Sequence, residues 1–159
     1  MTPPILYLHG FASGPRSQKG TAVAAHFPGT RCLDLRVPSP ERLSLAAMIE
    51  TTRAAITGPV VLIGSSLGGL TAARVAEREP RALRLVLFAP AFQLADRWRA
   101  RLAADPSLAP HTDFLEEAAR IDVGFPDVRV PTLVLHGVHD DVVPVETSRA
   151  SRPAGRACG

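Results

Sequence analysis

The sequence predicts a three-layer α/β domain, with a mostly parallel β-sheet covered by helices on both faces. Three observations predict it. Short apolar runs alternate with segments of helical periodicity along most of the chain. The strand-length runs are continuously apolar rather than alternating, so both of their faces must be buried. The chain's 159 residues suit one domain, and a chain of that size buries about 68–70% of its extended surface.

In chain order, the first strand is read at residues 4–8, the apolar run Ile5-Leu6-Tyr7-Leu8 after Pro3-Pro4. A helix is expected at 17–26, a second strand at 31–35 and a longer helix at 40–56. Gly58-Pro59 stops that helix, because proline removes a donor and clashes with the preceding turn. Val60-Val61-Leu62-Ile63 reads as the next strand, followed by a helix at 67–79 that Glu79-Pro80 terminates. Strands at 83–88 and 132–135 are separated by a stretch holding two helical patterns, 94–104 and 113–121. After Pro144 a helix begins at Val145. One domain therefore spans 1–150. From Ser151 onward apolar periodicity is lost, and 151–159 reads as a disordered tail.

Apolar content of 46% and charged content of 21% are ordinary for a soluble globular protein. The net charge of +3 comes from arginine, with Lys19 the sole lysine. The arginines are scattered and do not interleave with aromatics, which argues against nucleic-acid binding. The start does not resemble a signal peptide, and no apolar run reaches the length of a membrane span. Cys32 and Cys158 have neither metal-ligand spacing nor the pattern of a disulfide framework. Together these features predict a cytoplasmic protein without metal or cofactor.

The most informative segment is Gly64-Ser65-Ser66-Leu67-Gly68-Gly69. It has the form G-x-S-x-G between a buried-strand run and a helix, the context of a nucleophile elbow. A sharp strand-to-helix turn lifts the serine hydroxyl from the sheet edge, and the flanking positions must be small because backbone crowds there. Gly64 and Gly68 meet that need.

Two further segments accompany it: His9-Gly10-Phe11 after the first strand, and His136-Gly137-Val138-His139-Asp140-Asp141-Val142-Val143-Pro144 after the last. The order strand-HG, strand-GxSxG-helix, strand-HGxxDxxVP resembles the α/β-hydrolase superfamily. Within it, residues 8–20 (LHGFASGPRSQKG) resemble the small YqiA-like esterases. The resemblance implies a three-layer α/β-hydrolase fold, with residues 91–127 as a small cap over the site. Phe92, Trp98 and Phe114 of that segment are expected either to line an acyl pocket or to pack the cap helices on the body.

It also implies acyl transfer by Ser66 on a small acyl ester. The backbone N–H groups of Phe11 and Leu67 would form the oxyanion hole. Asp140 would be the orienting acid, with Asp141 as the alternative. His9 is expected to hold its loop by hydrogen bonding rather than act as the base. The superfamily order is serine, acid, histidine, and no histidine follows Asp140. The resemblance thus implies a hydrolase lacking its final strand, its catalytic histidine and its closing helix, with an Arg/Pro/Ala/Gly tail that reads as a shifted frame. Such a chain would be a weak esterase, or a non-catalytic domain that binds an acyl ligand or a partner protein. Residues 132–135 would become an apolar sheet edge, predicting low solubility or a homodimer that buries it.

Overall fold

A computed structural model of the chain describes residues 2–151. The expected disordered tail lies outside the described residues, apart from Ser151. Five strands form the central sheet: β1 (Ile5–Leu8), β2 (Arg31–Leu33), β5 (Val60–Ser65), β6 (Ala82–Phe88) and β7 (Thr132–Leu135). Their order is β2-β1-β5-β6-β7, and every neighbouring pair is parallel. The remaining two strands, β3 (Pro38–Ser39) and β4 (Arg42–Leu43), form a separate antiparallel hairpin.

The helices are α1 (Gln18–His26), α2 (Leu45–Ala55), α3 (Leu67–Ala76), α4 (Leu94–Ala104), α5 (Thr112–Ile121) and α6 (Val145–Ala150). Alternate side chains of β1 leave opposite faces of the sheet. Leu6 and Leu8 join the buried cluster that includes Leu70 and Val75 of α3 and Met48 of α2. Tyr7, on the other face, is buried where α1 crosses close enough for Gly20 to touch its ring. β1 and β5 carry their apolar residues continuously because both layers cover them, whereas β7, expected to be buried on both faces, leaves Leu133 and Leu135 exposed.

Several boundaries differ from expectation, among them the helix expected over 67–79, which ends at Ala76. The helix expected from residue 40 begins at Leu45. Ser39 precedes a proline and is biased away from helical backbone, so 38–43 form the hairpin instead. Ser44 then caps α2, its Oγ accepting from the Ala47 N–H at 3.0 Å. Glu117 of α5 completes that helix start, accepting from Ser44 Oγ and the Leu45 N–H, both at 2.8 Å. The second strand ends at Leu33, because the Leu35 N–H turns inward to His9. Between α4 and α5, residues Pro106–His111 form a short 3-10 turn that the periodicity did not signal.

β7 is an edge strand, with Leu133 54% and Leu135 46% exposed. Because β1 has β2 on one side and β5 on the other, the chain reverses direction across the sheet at β1. In open parallel sheets, ligand sites form at the carboxyl ends of the strands flanking such a reversal. The loops after β1 and β5 are the ones that carry His9-Gly10-Phe11 and Ser66.

Candidate active site

Ser66 lies between β5 and α3 with φ 53° and ψ −116°, and its side chain makes no capping hydrogen bond. A non-glycine residue at positive φ outside the left-handed helical well is strained. Four backbone hydrogen bonds hold it there: Ser66 N–H to Phe88 O at 2.9 Å, and Ser66 O from the N–H groups of Gly69, Leu70 and Ala91. The close approach explains the glycines. A Cβ on Gly64 would stand 2.7 Å from the carbonyl carbon of Gly68, and one on Gly68 would stand 2.5 Å from His9 O. Ser66 in turn faces the loop after β1, where a Cβ on Gly10 would touch the Ser66 Cβ at 3.4 Å.

The serine opens into a cavity of about 190 Å³. Phe11 and Leu67 border it, together with Trp98, Leu108, Phe114 and Val143. The N–H groups of Phe11 and Leu67 have no backbone acceptor among the described residues. Helix α4 and the segment through Phe114 form the wall opposite the sheet. Phe92 departs from the expectation of an acyl pocket: it turns away and packs edge-on against Phe125 at 6.0 Å. Arg97 and Arg101 line the cavity as well. Sequence reasoning passed over them, although Leu94, Arg97, Trp98 and Arg101 follow the i, i+3, i+4, i+7 spacing that shares one helix face.

The histidines are placed as follows. His9 is buried; its Nε2 accepts from the Leu35 N–H at 2.9 Å, so Nδ1 carries the proton donated to Gly10 O at 2.8 Å. Both nitrogens are committed to loop structure, the role expected for it. His136 is likewise saturated: Nε2–H donates to Val143 O and Nδ1 accepts from Ser148 Oγ, each at 2.7 Å. His26 and His139 are exposed. His111 packs its ring against Phe11, centroids 4.9 Å apart, behind the cavity wall. No histidine lines the cavity.

Asp140 stands in the loop after β7, at the same end of the parallel sheet as Ser66. Its Oδ1 accepts from the Val142 and Val143 N–H groups at 2.9 and 2.8 Å, and its Oδ2 is 3.6 Å from His136 Nε2. It thereby fixes the two valines that border the cavity. Asp141 is exposed. Among the described residues, no group of His, Cys, Asp and Glu side chains could hold a metal ion, and no helix is long and apolar enough to cross a membrane.

The family described as "Uncharacterised protein family (UPF0227)" matches residues 4–154. The chain belongs to this family. It is the YqiA-like group that the opening residues resembled. No curated protein matches the sequence significantly. Among solved structures, mouse alpha/beta hydrolase domain-containing protein 10 superposes with TM-score 0.78 at 20% identity, over 95% of this chain and 75% of that one. Est1E from Butyrivibrio proteoclasticus, solved with ferulic acid bound, gives TM-score 0.72 at 21% identity over 94% and 74%. MGS-MChE2, an α/β hydrolase from a lagoon-sediment metagenome, gives 0.68 at 22% identity over 96% and 77%. These likenesses show a three-layer α/β-hydrolase fold.

Proposed function

We propose that this UPF0227 chain is a serine hydrolase of the carboxylesterase or thioesterase kind, acting on short acyl esters, with turnover impaired for want of a base. The observation that carries the reading is the strained backbone of Ser66 at the mouth of a cavity. Over-determined strain of this kind clusters at sites that present a side chain to a ligand. Phe11 and Leu67 N–H are the proposed oxyanion donors, and each such donor is worth about 10²–10³ in rate. Asp140 is the proposed orienting acid, with Asp141 as the alternative.

With no histidine facing Ser66, the hydroxyl keeps its proton at neutral pH. In a comparable triad, loss of the histidine costs about 10⁶ in turnover, and about 10³–10⁴ over water survives from the oxyanion hole and binding. The saturation of His9 and His136 and the absence of a histidine from the cavity wall also favour a second reading, a non-catalytic domain that holds an acyl ligand or a partner protein. On either reading residues 91–127 act as the cap, the protein works in the cytoplasm without a cofactor, and the exposed β7 edge offers a surface for a homodimer.

A fluorophosphonate probe separates the two. Labelling of Ser66, absent from a Ser66→Ala control, supports an activated nucleophile; absence of labelling supports the binding domain. Hydrolysis of p-nitrophenyl acetate well above the Ser66→Ala control would overturn the missing-base argument. His111, the histidine packed nearest the cavity, would then be the first to test as base.

A further inference from the structure

We infer that the Ser66 cavity accepts an ester whose short acyl portion carries a carboxylate, with Arg97 and Arg101 as its anion-recognition groups. The inference rests on the hydrolase-type reading of the site and names its substrate class.

Among the described residues, half-buried Arg97 and exposed Arg101 are the only charged side chains lining an otherwise largely apolar cavity. The Arg97 guanidinium is incompletely satisfied. Its Nε donates to Phe92 O at 3.1 Å and its Nη1 to Val142 O at 3.3 Å, while Nη2 is buried without a partner. Two carbonyls hold the group in place, and Asp122 and Asp140 act on its charge only from beyond ion-pair distance. Neither arginine forms an ion pair among the described residues.

The surrounding carboxylates are committed elsewhere. Asp122 takes Arg74 and the Leu94 N–H, and Asp140 takes the Val142 and Val143 N–H groups. Arg74 supplies the contrast. Its Nε also lacks an acceptor, but the same guanidinium is neutralised by Glu77 and Asp122 and capped by two carbonyls. Where this fold buries an arginine for structure alone, it brings acids to it. Desolvation lowers the Arg97 pKa and Arg101 adds to the effect, while Asp122 and Asp140 oppose it.

Arg97 is half-buried and already held by two carbonyls, so its guanidinium is pre-positioned at the cavity wall, and a guanidinium fork matches a carboxylate. Asp122 and Asp140 offset part of the positive charge of the two arginines, which favours a monoanionic carboxylate over a phosphoryl dianion. A cavity of about 190 Å³ falls below the ~300 Å³ at which pockets for drug-sized ligands begin. The acyl chain must therefore be short.

Trp98, the sole tryptophan, lines the same cavity and is 7% exposed, so its fluorescence reports occupancy directly. The full chain is titrated with monomethyl glutarate, its neutral counterpart dimethyl glutarate, and propyl phosphate. We expect saturable perturbation by monomethyl glutarate with a Kd at least tenfold below that of dimethyl glutarate. Arg97→Gln should abolish that margin and Arg101→Gln should narrow it. Equal affinity for the charged and neutral esters, preference for propyl phosphate, or no saturable binding at all would each overturn the inference. The wild-type comparison stands even if a variant fails to fold. The titration reads binding without turnover. Fluorophosphonate labelling of Ser66 without an anion preference therefore removes this inference alone, and an anion preference without labelling removes the hydrolase reading alone.

Discussion

Replacing Ser66 by glycine should stabilise the fold relative to replacing it by alanine, a reversal of the usual order inside a helix-start segment. Both variants lose the hydroxyl, and the Ser66 side chain makes no capping hydrogen bond, so the Ser66→Ala change should stay within about 0.5 kcal/mol of wild type. Alanine keeps the Cβ and with it the strain of φ 53°, ψ −116°, which is worth about 1–3 kcal/mol for a residue other than glycine. Glycine removes that strain but loosens the unfolded chain, a cost of about 0.4–1 kcal/mol. The difference leaves glycine ahead by about 1 kcal/mol. In a domain of this size that is roughly a 2–4 °C rise in Tm.

Urea denaturation of the two variants, followed by circular dichroism, measures it. With a slope of about 1–3 kcal/mol per molar urea, the Ser66→Gly midpoint should lie above that of Ser66→Ala by a few tenths of a molar or more. Equal midpoints, or a lower one for glycine, would mean that Ser66 is not held under strain. The four backbone hydrogen bonds around it would then merely accompany a relaxed turn, and the main physical argument for a nucleophile there would fall.

Two other substitutions probe the frame around the site. Asp122→Ala removes a fully buried carboxylate that accepts from Arg74 Nη2 at 2.7 Å and the Leu94 N–H at 3.0 Å; breaking such a pair costs about 3–5 kcal/mol, and a loss under 1 kcal/mol in urea denaturation would contradict its role in tying α3 to the start of α4. Glu79 is 4% exposed and clasped by Arg81, whose hydrogen bonds hold its carboxyl at about 2 against 4.5 for an unpaired glutamate. Its folded pKa lies below the unfolded one, so its contribution is complete above pH 4.5 and fades as pH falls toward about 2. With Arg81 half-exposed, the effect is on the order of 1–2 kcal/mol. Acid titration of stability should flatten across that window in Glu79→Gln, and an unchanged slope would refute the assignment.

What could be read from the residues alone follows how local each device is. The elbow was legible because all its parts are neighbours in sequence: a buried strand, Gly64 and Gly68 where a Cβ would strike backbone, and a helix starting at Leu67. The start of α2 was not legible, because the acceptor that completes it, Glu117, lies 73 residues further along the chain and arrives only when α5 docks. Arg97 is intermediate. Its spacing with Leu94, Trp98 and Arg101 marked a shared face of α4, but only the packed structure shows that the face meets Ser66. Phe92 illustrates the converse: an aromatic in the right segment that the turn before α4 directs toward Phe125. Asp140 shows where such reading ends. Its loop position follows from the HGxxD spacing, but a carboxylate orients a base only by touching it. The ring 3.6 Å from the Asp140 Oδ2, that of His136, is already held by Ser148 and Val143. The proposed catalysis at Ser66 therefore depends on a proton acceptor reaching the cavity, and no property of Asp140 alone can supply one.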